Sequence, residues 1–195
     1  RPQVITQVIT RGSQMRKYLI GFIIVIFLFT MYVIYNHRQN PTKEAVLKIT
    51  ENWSQTAKEV YLVSNIDGEW FTIFRNNETI FLARLEQNWL GLWEIKDDFG
   101  GSSSLSSVVY PPENDEAFTW SAEGTEQRAY YFGQIINPEI KKIEVETKRD
   151  VFEKALLINT EGARFFYIKS EEKVVLPVKI RGYAETGELI YTTYK

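Results

Sequence analysis

The 195-residue chain has no cysteine and one histidine, His37. Without cysteine there is no disulfide, no thiolate nucleophile and no residue to carry a lipoprotein-type lipid. A serine triad would have to use His37, which adjoins a long apolar run, and a zinc site has too few nitrogen or sulfur ligands. Glycine-rich phosphate loops and dinucleotide fingerprints are also absent. No metal and no cofactor are expected on these grounds. Basic charge is scarce outside the N-terminus. The chain holds 23 Lys and Arg against 25 Asp and Glu, and Arg1, Arg11, Arg16 and Lys17 precede the apolar run. The remainder has 19 basic against 25 acidic residues, a mildly acidic balance that serves solubility and is unsuited to nucleic acid.

What the chain does have is Tyr18 to Tyr35, eighteen residues without a charge. As a helix this run is about 27 Å long, close to the hydrocarbon thickness of a bilayer. A cleaved signal peptide would end in small residues, whereas this run ends in Met31-Tyr32-Val33-Ile34-Tyr35. A buried core helix would need an interior able to cover it all round, which a small β-rich domain lacks. The expectation is therefore an uncleaved signal anchor. The basic, acid-free N-terminal side favours N-in, C-out, although His37 and Arg38 on the far side reduce the contrast. Met15-Arg16-Lys17 directly before the run has the form of a translation start in an exported bacterial protein. Residues 1–14 are thus expected to be additional to the native chain, the alternative being a genuine short tail.

The expected organisation is a short cytoplasmic tail over 1–17, a transmembrane anchor over 18–35, a juxtamembrane helix within 36–58 and an extracytoplasmic β-domain over 59–195. Ala45, Val46, Ile49, Trp53, Ala57 and Val60 recur at helical spacing, predicting a helix from about 42 to 57 that packs on the following domain through Trp53. An oligomerising stalk is the alternative.

From Glu59 the apolar period changes to two. Val60–Ile66, Trp70–Arg75, Thr79–Glu86 and Trp89–Lys96 read as a four-strand meander. Trp70–Phe74 and Ile80–Leu85 are apolar on both faces, as strands covered twice are. A seam near 97–117, with Gly100-Gly101, Pro111-Pro112 and an acidic tract, divides two halves. The second half reads as strands over Phe118–Ser121, Glu126–Ile136, Phe152–Asn159, Arg164–Lys169, Val174–Ile180 and Leu189–Tyr194. Ile143, Val145 and Thr147 alternate with Glu144 and Glu146 in a strand with one wet face. The fold class expected is mainly β, an antiparallel sandwich or barrel of about ten strands.

Three chemistries are open to this frame. The 25 acids allow a paired-carboxylate glycan or peptide hydrolase, but nothing in the pattern marks two of them as facing. Asp97, Asp98, Glu113, Asp115 and Glu116 crowd the long loop, where calcium would find oxygen ligands but no regular spacing. Trp89 and Trp93, on one strand face with Gly91 between them, form with Tyr110 a candidate platform for sugar rings or a peptide. The plainer reading places both tryptophans in a core, with Gly91 admitting a large neighbour.

Tyr131-Phe132-Gly133-Gln134-Ile135-Ile136-Asn137-Pro138-Glu139-Ile140-Lys141-Lys142-Ile143 resembles a pattern in small exported proteins of Bacillus and its relatives. The segments Ile180-Arg181-Gly182-Tyr183 and Thr186-Gly187-Glu188-Leu189-Ile190-Tyr191 are similar as well. The resemblance implies an N-terminal anchor and a β-rich ectodomain in a Gram-positive envelope, and carries over no catalytic residue. The functional expectation is a non-catalytic binding or accessory protein of the envelope, with the membrane and an envelope protein or glycan as partners. An envelope hydrolase and an inhibitor or immunity-type protein are the alternatives.

Overall fold

A computed structural model describes residues 3–51, 56–96, 104–113 and 115–194, with side chains from Met15 onward. The chain divides into two compact units, Arg1–Asn40 with Gln87–Leu92, and Pro41–Glu86 with Trp93–Lys195. The first is built on α1 (Gln3–His37). Within it Met15–His37 has a mean hydropathy of 2.4 and no burial, long and apolar enough to cross a membrane.

The second unit opens with α2 (Lys43–Ile49). Thr42 caps it, its Oγ1 accepting from the Ala45 N–H at 3.2 Å. Seven residues are too few for a stable isolated helix. Its side chains Val46 and, at the C-cap, Thr50 are buried, and Thr50 Oγ1 donates to the Val46 carbonyl at 3.0 Å. The helix is thus shorter than its apolar spacing predicts, and Trp53 lies outside the described residues.

The rest is strand: β1 (Glu59–Ile66), β2 (Glu69–Arg75), β3 (Thr79–Gln87), β4 (Trp93–Ile95), β5 (Ser106–Val109), β6 (Ser121–Gly124), β7 (Ala129–Ile135), β8 (Lys142–Lys148), β9 (Val151–Lys154), β10 (Leu156–Asn159), β11 (Arg164–Ser170), β12 (Ile180–Tyr183) and β13 (Leu189–Thr192). They form three antiparallel sheets. The first is β1-β2-β3-β4, with β5 also on β3; the second is β10-β11-β7-β6; the third is β13-β12-β8-β9. The expected meander is the first sheet. Its opening hairpin turns on Asp67-Gly68, both at positive φ (52° and 85°), the left-handed pair that suits a two-residue hairpin loop.

Period-two patterning decides how the sheets stack. On β7, Tyr130 and Phe132 face one core, while Ala129, Tyr131 and Ile135 face another. On β11, Phe165 and Tyr167 join the first core, and Phe166 and Ile168 the second. One core is completed by Phe71, Ile73, Ile80, Leu82, Leu105 and Val108 of the first sheet and its β5 margin. The other is completed by Ile143, Val145 and Ile180 of the third sheet. The second sheet is therefore the middle layer of a three-sheet stack. The outer face of the first sheet, with Phe74, Phe81, Ala83 and Leu85, packs against Val46 of α2. The segments on either side of 97–117 share one of these cores.

The described residues form thirteen strands where about ten were expected. Phe152–Asn159 splits at Ala155, so β9 pairs with β8 in the third sheet and β10 with β11 in the second. Val174–Ile180 holds no strand before Ile180 and contains the cis Leu176-Pro177 bond. The expected wet face of β8 is only partly wet. Glu144 is half-buried, but Glu146 is 1% exposed. A bulge between Glu146 and Lys148 disrupts the alternation there.

Glu146 is tolerated inside because its charge is matched. It accepts from the Asp150 N–H at 2.6 Å and lies 3.0 Å from Lys179 Nζ. The Asp150 hydrogen bond, with help from Lys179, outweighs the cost of burial and holds the carboxyl below the usual glutamate range. A lowered folded-state pKa means stability that is present above the ordinary glutamate range and is lost as pH falls through the folded value. Glu146→Gln should cost about 2 kcal/mol near neutrality. Its unfolding free energy should also fall less steeply than that of the wild type as pH is lowered below the ordinary range, as measured by urea titration across that window.

Gly133, opposite Phe166 on β11, is required by close approach. A Cβ there would run into the Thr119 carbonyl oxygen and come within 2.5 Å of the Phe166 ring. Gly133→Ala should destabilise the fold by about 3 kcal/mol, the upper part of the overpacking range. Thermal melting followed by circular dichroism should show Tm falling by about 6–12 °C.

Candidate functional site

The first unit owes its compactness to a turn, residues 87–92, closed on itself and docked on the end of α1. The Asn88 Oδ1 accepts from the N–H groups of Leu90 and Leu92 at 3.0 and 3.1 Å. The Asn88 N–H donates to Leu92 O, and the Gly91 N–H to Asn88 O. Two amides fasten the turn to the helix. Asn36 Nδ2 donates to Leu90 O at 3.2 Å, and Gln87 Nε2 donates to Asn36 O at 3.0 Å and to Gly91 O at 3.1 Å. The Asn36 carbonyl, at the C-terminus of the helix, also accepts from the Gln39 N–H at 3.0 Å.

Gly91 makes the docking possible. It has φ of 76°, and a Cβ would lie 2.5 Å from His37 Nδ1 and 2.7 Å from the His37 backbone nitrogen. The large neighbour expected at Gly91 is thus the end of α1. Trp89, 74% exposed, sits over Phe29 with ring centroids 6.3 Å apart.

This turn replaces the first half of the expected strand Trp89–Lys96, so Trp89 and Trp93 do not share a strand face. The three proposed platform residues stand in three settings. Trp89 belongs to the helix unit. Trp93 starts β4 and meets Trp70 edge-on at 5.9 Å, on the outer face of the first sheet. Tyr110 packs against the core between the first and second sheets, with the Arg75 guanidinium 4.5 Å above its ring. Arg75 is held in turn by Glu59 at 2.8 Å. Much of the proposed calcium loop, 97–103 and 114, lies outside the described residues. Among those described, no group of three or more His, Asp or Glu is placed to hold a metal ion.

The second unit has a concavity that the sequence did not suggest. It measures about 400 Å³ and is lined by Ile66, Asp67, Phe71, Lys154, Leu156, Tyr167, Ile168, Lys169 and Glu171. The β1–β2 turn supplies one rim, the β9–β10 corner another, and β11 the floor. Lys169 Nζ lies 3.2 Å from Glu69 Oε2, and Glu69 also takes the Arg84 guanidinium. Burial would raise the Glu69 carboxyl, but hydrogen bonds and charge from Lys169 and Arg84 outweigh it and hold it below the glutamate range. Glu69 therefore stays ionised, the wrong state for a general acid at neutral pH. Tyr167 is 5% exposed, and its hydroxyl has no hydrogen-bond partner among the described residues. Burial, with the negative charges of Glu69 and Asp67 nearby, pushes its ionisation upward, so the phenol is a neutral donor.

These lining residues come from three stretches of chain, 66–71, 154–156 and 167–171, the first far from the other two in sequence. Their only advance signal was one polar handle, Tyr167, in the apolar run Phe165-Phe166-Tyr167-Ile168. No protein-family profile, curated protein or solved structure matches the chain.

An unsatisfied buried hydroxyl costs about 1 kcal/mol or more. Tyr167→Phe should therefore stabilise the unliganded protein by about 1 kcal/mol, raising Tm by about 2–4 °C in a thermal melt.

Proposed function

We propose that the protein is a single-pass membrane protein that presents a non-catalytic β-domain on the outer side of a bacterial cell membrane and acts there by binding. The observation that carries this reading is the helix Met15–His37. Its side chains are all exposed apart from the half-buried Val33 and Asn36. A face-all-round apolar helix of this length without protein cover has lipid as its natural solvent. Orientation follows from Arg16 and Lys17 before the span, which favour a cytoplasmic N-terminus.

The binding role is supported by the concavity floored by β11. Phe71 and Leu156 give it an apolar lining, and Lys154, Asp67 and Glu171 give it charges of both signs. Tyr167 adds a neutral hydroxyl donor that none of the described residues uses. That lining suits a short peptide or the exposed segment of an envelope protein, with an acceptor for Tyr167 and an acidic group for Lys154. The hydrolase alternative loses ground because Glu69, the carboxylate most embedded beside the concavity, is committed to two cations.

Protease added to intact protoplasts should remove the chain after Asn36, and complete protection would overturn the orientation. Photo-crosslinking in whole cells from position 154 should capture an envelope partner. The same probe with Tyr167→Phe should capture it less efficiently, although that variant is the more stable protein.

A further inference from the structure

The turn 87–92 has features that binding by the β-domain does not use. It contains no charged residue and presents Trp89 and Leu92 outward, 74% and 42% exposed. It also leaves few backbone groups wanting water. The N–H groups of Asn88, Leu90, Gly91 and Leu92 donate within the turn, and the carbonyls of Asn88, Leu90, Gly91 and Leu92 accept there or from α1. Such internal pairing is what hydrocarbon demands of a non-helical backbone and what water does not require. The turn is also fixed in depth along the helix. Trp89 lies against Phe29, six residues before Tyr35, the last residue of the apolar run, hence about 9 Å inside the end of that run.

We propose that the turn 87–92 is a second membrane contact, with Trp89 and Leu92 seated in the outer leaflet beside the transmembrane helix. The proposal rests on the reading of α1 as a membrane span. With that span in place, a ring beside Phe29 lies in the acyl region of the outer leaflet, about 9 Å below the boundary where tryptophan and tyrosine concentrate. Tyr32 and Tyr35 follow on the same stretch of α1, between the depth of Trp89 and that boundary. The side-chain N–H groups of Gln87 and Asn36, which bind the turn to the helix, donate to the carbonyls of Asn36, Gly91 and Leu90, which lowers the desolvation cost of carrying them along. The bilayer is the occupant because the exposed side chains are apolar and uncharged and continue the lipid-facing surface of α1.

The absence of cysteine makes the test direct. Full-length Trp89→Cys, Leu92→Cys and Phe27→Cys are each spin-labelled and placed in nanodiscs of phosphatidylcholine and phosphatidylglycerol. Accessibility to oxygen, which partitions into lipid, is compared with accessibility to a water-soluble nickel chelate. The expected result is that oxygen exceeds the chelate at all three positions, most strongly at 27. Labels at 89 and 92 that favour the chelate, while the label at 27 favours oxygen, would overturn the turn's insertion and leave the anchor intact. A label at 27 that favours the chelate would overturn the anchor and the insertion together.

Discussion

The fold depends on one constraint, that both faces of the middle sheet are apolar. β7 and β11 run side by side with aromatic side chains alternating above and below, so neither face can be left to water. Phe165 stacks on Phe132 with centroids 5.8 Å apart on one side, and Phe166 meets Phe118 edge-on at 5.7 Å on the other. A two-layer sandwich would cover one of these faces only. The first and third sheets supply the two covers, and the order of layers follows. The polar tie Glu69–Lys169 then joins the first sheet to the second at the rim, where its charges remain half-exposed.

Much of this was legible in the sequence because burial leaves a period. The apolar helix, the meander β1-β2-β3 and the double cover of β2 and β3 all follow from runs of side chains that sterics sort by face. What escaped was decided by single residues acting across long separations. Ala155 breaks one apolar run into two strands, which no local propensity marks. Glu146 reads as a solvent-facing position by alternation, but a bulge and the distant Lys179 bring it inside.

The site was less legible for the same reason. Trp89 and Trp93 have strand spacing, yet Asn88 and Gly91 favour a turn, and the end of α1 gives that turn something to dock on. Gly91 is a point of close approach, but the partner is the end of α1, more than fifty residues away, and not a side chain of a core that holds the two tryptophans. The lining of the concavity comes from segments that no linear pattern connects, and its most telling group, the Tyr167 hydroxyl, is defined by what it lacks.

The Ala155 corner has a mechanical meaning. β9 and β10 are one continuous stretch of chain, hydrogen-bonded on one side of the corner into the third sheet and on the other into the second. The Ala155 N–H itself is bound to Ile143 O at 2.9 Å. Sliding one sheet over the other must break that bond and pull on both ladders at once. Shear between the two layers is thereby coupled to their unravelling, so a load applied to either is shared by both until the corner yields.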